Sequence, residues 1–107
     1  MRILIDECVP RRFAREVVGY DVSTMQQIGW LGKKNGELLK LLVEHSFDVF
    51  ITVDQNLQYQ QNLKDTKISI IVLSSSTNRY DDLKSLAPSV LKRLSSLVAG
   101  EIYIISE

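Results

Sequence analysis

A chain of 107 residues that is 45% apolar and 24% charged, with 5 Gly and 2 Pro, has the composition of one globular domain over residues 1–107. This excludes disordered, collagen-like and low-complexity classes. Thirteen Lys+Arg balance thirteen Asp+Glu, so no global field steers the chain onto nucleic acid or membrane, and any such contact must come from a local patch. The lone cysteine, Cys8, rules out an intrachain disulfide and a thiolate metal cage. Asp6 ends the first apolar run too early for a secretory segment, and no stretch approaches the roughly 20 apolar residues of a bilayer span. A soluble cytoplasmic protein with no membrane partner is expected.

Arg2 to Ile5 is a continuous, β-branched-rich run that predicts a strand. Pro10 suits a first helical position and Gly19 a stop, with Phe13, Ala14, Val17 and Val18 on one face. Asp21 to Thr24 predicts a short edge strand. Asn35 is a candidate cap for a second helix whose stripe is Leu38, Leu41 and Leu42, widened by Leu39 and Val43. Asp48 to Val53 predicts a third strand, followed by a helical turn from Gln55 to Gln61. Ile68 to Leu73 predicts a fourth strand, leading into a polar loop through Asn78. Leu83, Leu86, Ala87, Val90, Leu91, Leu94, Leu97 and Val98 keep helical spacing, with Pro88 expected to kink or split the helix and Gly100 to end it. Glu101 to Ser106 closes the chain as a strand.

Apolar runs with few polar interruptions mark strands covered on both faces, as in a parallel sheet. Their alternation with helices predicts a three-layer α/β/α sandwich around a mainly parallel five-stranded sheet of order 2-1-3-4-5. The expected core is Ile3, Ile5, Phe13, Val17, Leu38, Leu42, Phe50, Ile51, Ile70, Val72, Leu86, Val90, Leu94 and Ile104.

The acids fall at strand ends. Asp6 and Glu7 follow the first strand and Asp54 follows the third. The C-terminal strand ends of a doubly wound sheet form its ligand crevice. If those strands are neighbours, the three acids converge and repel unless a cation neutralises them. Mg2+ or Mn2+ suits a few carboxylates plus waters. Asn56 offers a neutral oxygen, and Glu37, in the first turn of the second helix, can face the same crevice. The plainer readings are that Asp6 and Asp54 are helix caps and that Glu37 serves the helix dipole. His45 has no second histidine to work with and reads as a helix-end residue. Cys8 reads as small-residue packing, although a helix N-terminus beside it would lower its pKa. Arg11-Arg12, Lys33-Lys34 and Arg79 are small basic clusters near the crevice, and Trp30 and Tyr59 offer flat faces for a base. Taken alone these are also compatible with a solvated surface and a partly buried Trp30.

Ile3-Leu4-Ile5-Asp6-Glu7-Cys8-Val9-Pro10, Gly19-Tyr20-Asp21-Val22 and Ile51-Thr52-Val53-Asp54-Gln55-Asn56-Leu57 together resemble the small PIN-like family of bacterial ribonucleases, related to VapC-type toxins. Asn35-Gly36-Glu37-Leu38 also resembles that family's acidic helix start. The resemblance covers nearly the whole chain through short motifs in the right order. It implies Mg2+- or Mn2+-dependent cleavage of single-stranded RNA, with Asp6 and Asp54 as main metal ligands, Glu37 and Asn56 completing the catalytic set, and Glu7 a further ligand. Lys33, Lys34, Arg11 and Arg79 are the RNA-binding candidates. A homodimer and a small DNA-binding antitoxin are the implied partners. Where such nucleases often carry a fourth acid this chain has Asn56, which brings no charge. A non-catalytic PIN-like interaction module is therefore the alternative. A receiver-like phosphoacceptor domain also fits Asp6, Glu7 and Asp54, but the last strand lacks the lysine such domains need.

Overall fold

The computed structural model describes residues 1–56 and 66–107. Its strands are β1 (Arg2–Ile5), β2 (Asp21–Thr24), β3 (Val49–Thr52), β4 (Ser69–Ser74) and β5 (Ile102–Ser106), all parallel, in the order β2-β1-β3-β4-β5. A 3-10 helix (Arg11–Glu16) joins β1 to β2, α1 (Asn35–Glu44) joins β2 to β3, and α2 (Tyr80–Lys84) with α3 (Ala87–Leu94) joins β4 to β5. The expected turn from Gln55 to Gln61 lies, after Asn56, outside the described residues, as does Tyr59.

Alternation along each strand divides the core between the two faces of the sheet. Ile3, Ile5, Val49, Ile51, Ile71, Leu73 and Ile105 meet Phe13 and Val17 from the 3-10 segment and Leu83, Leu86, Val90 and Leu94 from α2 and α3. On the opposite face Leu4, Phe50, Ile70 and Val72 meet Leu38 and Leu42 of α1 together with Met25 and Phe47. Helices thus cover both faces and the three-layer arrangement holds. Burying each large apolar side chain contributes roughly 1.5–3 kcal/mol.

The β1–β2 and β4–β5 connections both lie on the first face, yet they run in opposite directions across the sheet. Their crossovers therefore have opposite hands, and one departs from the usual right-handed rule. That placement explains the one misassigned core residue. Ile104 belongs to the α1 face of an edge strand, and with α2 and α3 packed on the other face it is 53% exposed. Ile105, one residue on, is the buried one.

Helix termini also differ from expectation in places. Pro10 precedes the first helical residue, the segment it opens is 3-10, and the chain leaves it at Val17, so Val18 is exposed. Gly19 turns into β2 at φ +90°, a conformation costly for any residue with a Cβ. Asn35 is the first residue of α1, with Lys34 at the cap position making no side-chain capping bond. α1 ends in a Schellman turn with Ser46 at φ +60°: Phe47 N–H donates to Leu42 O at 2.9 Å and Ser46 N–H to Val43 O at 3.2 Å. The widening of the α1 stripe is partial, since Leu39 packs on the core while Val43 is exposed. Pro88 stands in the first turn of α3, where its missing N–H costs nothing, and so splits the expected long helix into α2 and α3. Among the described residues no helix is long and apolar enough to cross a membrane.

Candidate active site

Every strand points the same way, so the residues after β1, β2, β3 and β4 gather at one edge of the sheet. β1 and β3 are neighbours, with Ile5 beside Ile51, and Asp6 N–H extends that ladder to Ile51 O at 2.9 Å. Asp6 and the segment running from Thr52 to Asp54 are thereby brought side by side.

Thr52, fully buried at the end of β3, links them. Its hydroxyl donates to Asp6 Oδ2 at 2.6 Å and accepts from Asp54 N–H at 3.0 Å. Cys8 Sγ–H donates to the same Asp6 oxygen at 3.0 Å, and Glu7 N–H donates to Asp6 Oδ1 at 2.7 Å. Asp54 Oδ1 accepts from Asn56 N–H at 3.0 Å, and Asn35 Nδ2 reaches Asp54 Oδ2 at 3.4 Å. Asp54 thus does what a capping aspartate does, and Asn35 is turned to the aspartate rather than capping α1.

The other candidates spread along this edge. Glu7 Oε1 accepts from Gly32 N–H at 3.0 Å, tying the β1 exit to the loop before α1. Glu37 pairs with Lys33 at 3.0 Å on the exposed start of α1, and no hydrogen bond among the described residues joins it to Asp6 or Asp54. Lys34 lies exposed at the α1 N-terminus, and Arg79 lies exposed at the α2 N-terminus with its N–H on Thr77 Oγ1. Asn56 is exposed, and its backbone N–H donates to Asp54. Arg11 lines a cleft of about 330 Å³ with Asp6, Glu7, Cys8, Met25 and Leu31. Trp30 is half-buried, edge-on to His45 and Phe47 at 5.0 and 5.7 Å, and packs against the core.

Among the described residues, Asp6 accepts three hydrogen bonds and Asp54 two, which leaves each carboxylate a lone pair, since a carboxylate oxygen accepts twice. Two carboxylates plus waters fit a weakly held Mg2+ or Mn2+. Among the described residues no group of three or more His, Cys, Asp or Glu side chains forms a metal cage. Sequence reasoning overlooked Thr52, although a threonine closing an apolar strand two residues before an aspartate is a readable signal.

Cys8 is exposed rather than packed as a small core residue, but partial burial pushes its thiol up to about 11, and its hydrogen bond to Asp6 and that carboxylate's charge add to the rise. The lowered pKa considered from the neighbouring helix start is therefore not found. The raised value means the folded state favours the protonated thiol. In metal-free buffer at pH 9, iodoacetamide should alkylate Cys8 about 5-fold more slowly in the folded protein than in urea, the smaller thiolate fraction outweighing the greater nucleophilicity of a more basic thiolate. Equal rates would contradict the raised thiol pKa.

No family model matches this sequence, and neither a curated protein nor a solved structure matches it.

Proposed function

We propose that this chain is a PIN-like, Mg2+- or Mn2+-dependent ribonuclease that cleaves single-stranded RNA. The reading is carried by the adjacency of β1 and β3, with one buried hydroxyl, that of Thr52, serving both Asp6 and the Asp54 backbone. Asp6 and Asp54 would hold the cation, and Glu7 and the Asn56 carbonyl stand near enough in sequence to add oxygens. When bound, the ion supplies a water of lowered pKa and a Lewis acid for a phosphate oxygen.

The chain's own residues do the positioning. Thr52 fixes the Asp6 carboxylate, the Asp54 N–H locks that hydroxyl's orientation, and Asn35 steadies the second carboxylate. Outer partners of this kind are worth 10–100-fold in affinity or activity. Lys33 or Arg79 offsets charge developing on the phosphate, and Glu37, paired with Lys33, orients that lysine. Lys34 and Arg11 bind the RNA backbone. A homodimer and a small DNA-binding antitoxin, the toxin's usual partners in the family it resembles, belong to the same proposal.

A second reading, a non-catalytic interaction module, is favoured by one observation: Asn56 stands where a further acid would raise the site's charge. The test is cleavage of a mixed-sequence single-stranded RNA with Mn2+. Cleavage that stops with chelator is expected. RNA left intact in every divalent metal transfers the site to the second reading.

A further inference from the structure

We propose that the groove beside the β2 edge is the track along which a single-stranded RNA backbone enters the Asp6 cleft. For the identity of its ligand this rests on the ribonuclease reading. The groove, about 610 Å³, is lined by Arg11, Arg12, Arg15, Thr24, Gln26 and Gln27, with Ala14 its one apolar contributor and no carboxylate on its walls. Three guanidiniums sit within the six residues of the 3-10 helix. None of them is paired with a carboxylate among the described residues, whose ion pairs use Arg2, Lys33 and Lys84.

In a chain of zero net charge such a concentration is local. Guanidiniums gathered without counterions repel one another and are stabilised by an anion that bridges them. Their planar forks match phosphate oxygens. Arg12 is held over the Tyr80 ring at 4.3 Å, which fixes one of the three in place. Gln27 adds a donor of known orientation: its Oε1 accepts from Thr24 N–H at 2.8 Å, so its amide NH2 is the group left for a ligand.

The groove and the acidic cleft share Arg11, Thr24 and Gln26, so the two adjoin. A polyanion lying on the arginines is led to the Asp6 and Glu7 carboxylates, where a cation is needed to accept it. Guanidinium and amide donors read phosphate and sugar, not base edges, so binding here is tolerant of sequence.

The test is anisotropy of a labelled single-stranded RNA in EDTA, where no metal-dependent cleavage occurs, across a salt series. The triple variant Arg11→Gln, Arg12→Gln, Arg15→Gln should weaken binding at least ~10-fold and flatten the log–log salt slope by about 2, given ~0.7 per phosphate contact on a single strand. The charge-matched control Lys40→Gln, Lys67→Gln, Lys92→Gln should change the slope far less. Replacing the three arginines by lysine should restore the slope, which separates lost contacts from lost folding. Equal weakening by both Gln triples, unchanged binding by the arginine triple, or no binding by wild type overturns the groove. Arginine-dependent binding without cleavage in Mn2+ leaves the groove standing and removes the nuclease. Cleavage with unaltered KM in the arginine triple does the reverse.

Discussion

Asp54→Asn is expected to lower Mn2+-dependent RNA cleavage by more than ~100-fold, the upper end of what outer-shell partners contribute, while leaving the fold intact. The substitution removes a carboxylate charge but keeps the side chain's shape. Asn retains an oxygen able to accept from Asn56 N–H, so the local turn at the end of β3 survives. Asn caps almost as well as Asp, so if Asp54 only shapes that turn, stability and cleavage both stay near wild type. Asn56→Asp acts in the other direction. It adds a carboxylate beside Asp54, and divalent affinity follows ligand charge, so half-maximal cleavage should be reached at a lower Mn2+ concentration. Wild type, both variants and a chelator control, scored on one labelled RNA, decide between these accounts. Cleavage that persists in Asp54→Asn contradicts the metal role.

Phe50→Ala should have the largest effect on stability, about 3–5 kcal/mol. Phe50 is fully buried in β3, in the cluster that holds Leu38 and Leu42 of α1, so its truncation removes a large apolar side chain and leaves a cavity. Against the 5–15 kcal/mol typical of a domain, this is enough to leave a substantial unfolded fraction on mild warming. Ile104→Ala is the matched contrast, because half of that side chain already lies in water, and its cost should stay below about 1 kcal/mol. Urea melts of the two variants check both values. Equal destabilisation would mean that the α1 face of β5 is covered.

That contrast shows where the sequence was legible. β1, β3 and β4 are continuous apolar runs because both their faces are covered, and a run of that kind is readable without knowing what covers it. Asp6 and Asp54 were legible for the same reason: each ends such a run, and neighbouring parallel strands bring their ends together. Ile104 was not. The α3 stripe declares that the helix buries one side, but the hand of the β4–β5 crossover decides which face of the sheet receives it, and no local pattern encodes that hand. Asn35 looked like a cap from its place before Glu37 and Leu38, yet tertiary proximity to Asp54 claims its amide. Which groups the Thr52 hydroxyl joins is not written in its local sequence, since a hydroxyl's partners depend on strand register. Arg15 and Gln27 likewise acquire meaning only when β2 is laid beside the 3-10 helix.

The proposed ribonuclease activity requires Asp6 and Asp54 to hold a divalent cation together. A crystal soaked in Mn2+ and measured at the manganese absorption edge tests it directly. The account predicts an anomalous peak within bonding distance of a carboxylate oxygen of each aspartate, lost in Asp54→Asn crystals. No peak between them at high metal, or one that persists unchanged in the variant, would contradict it.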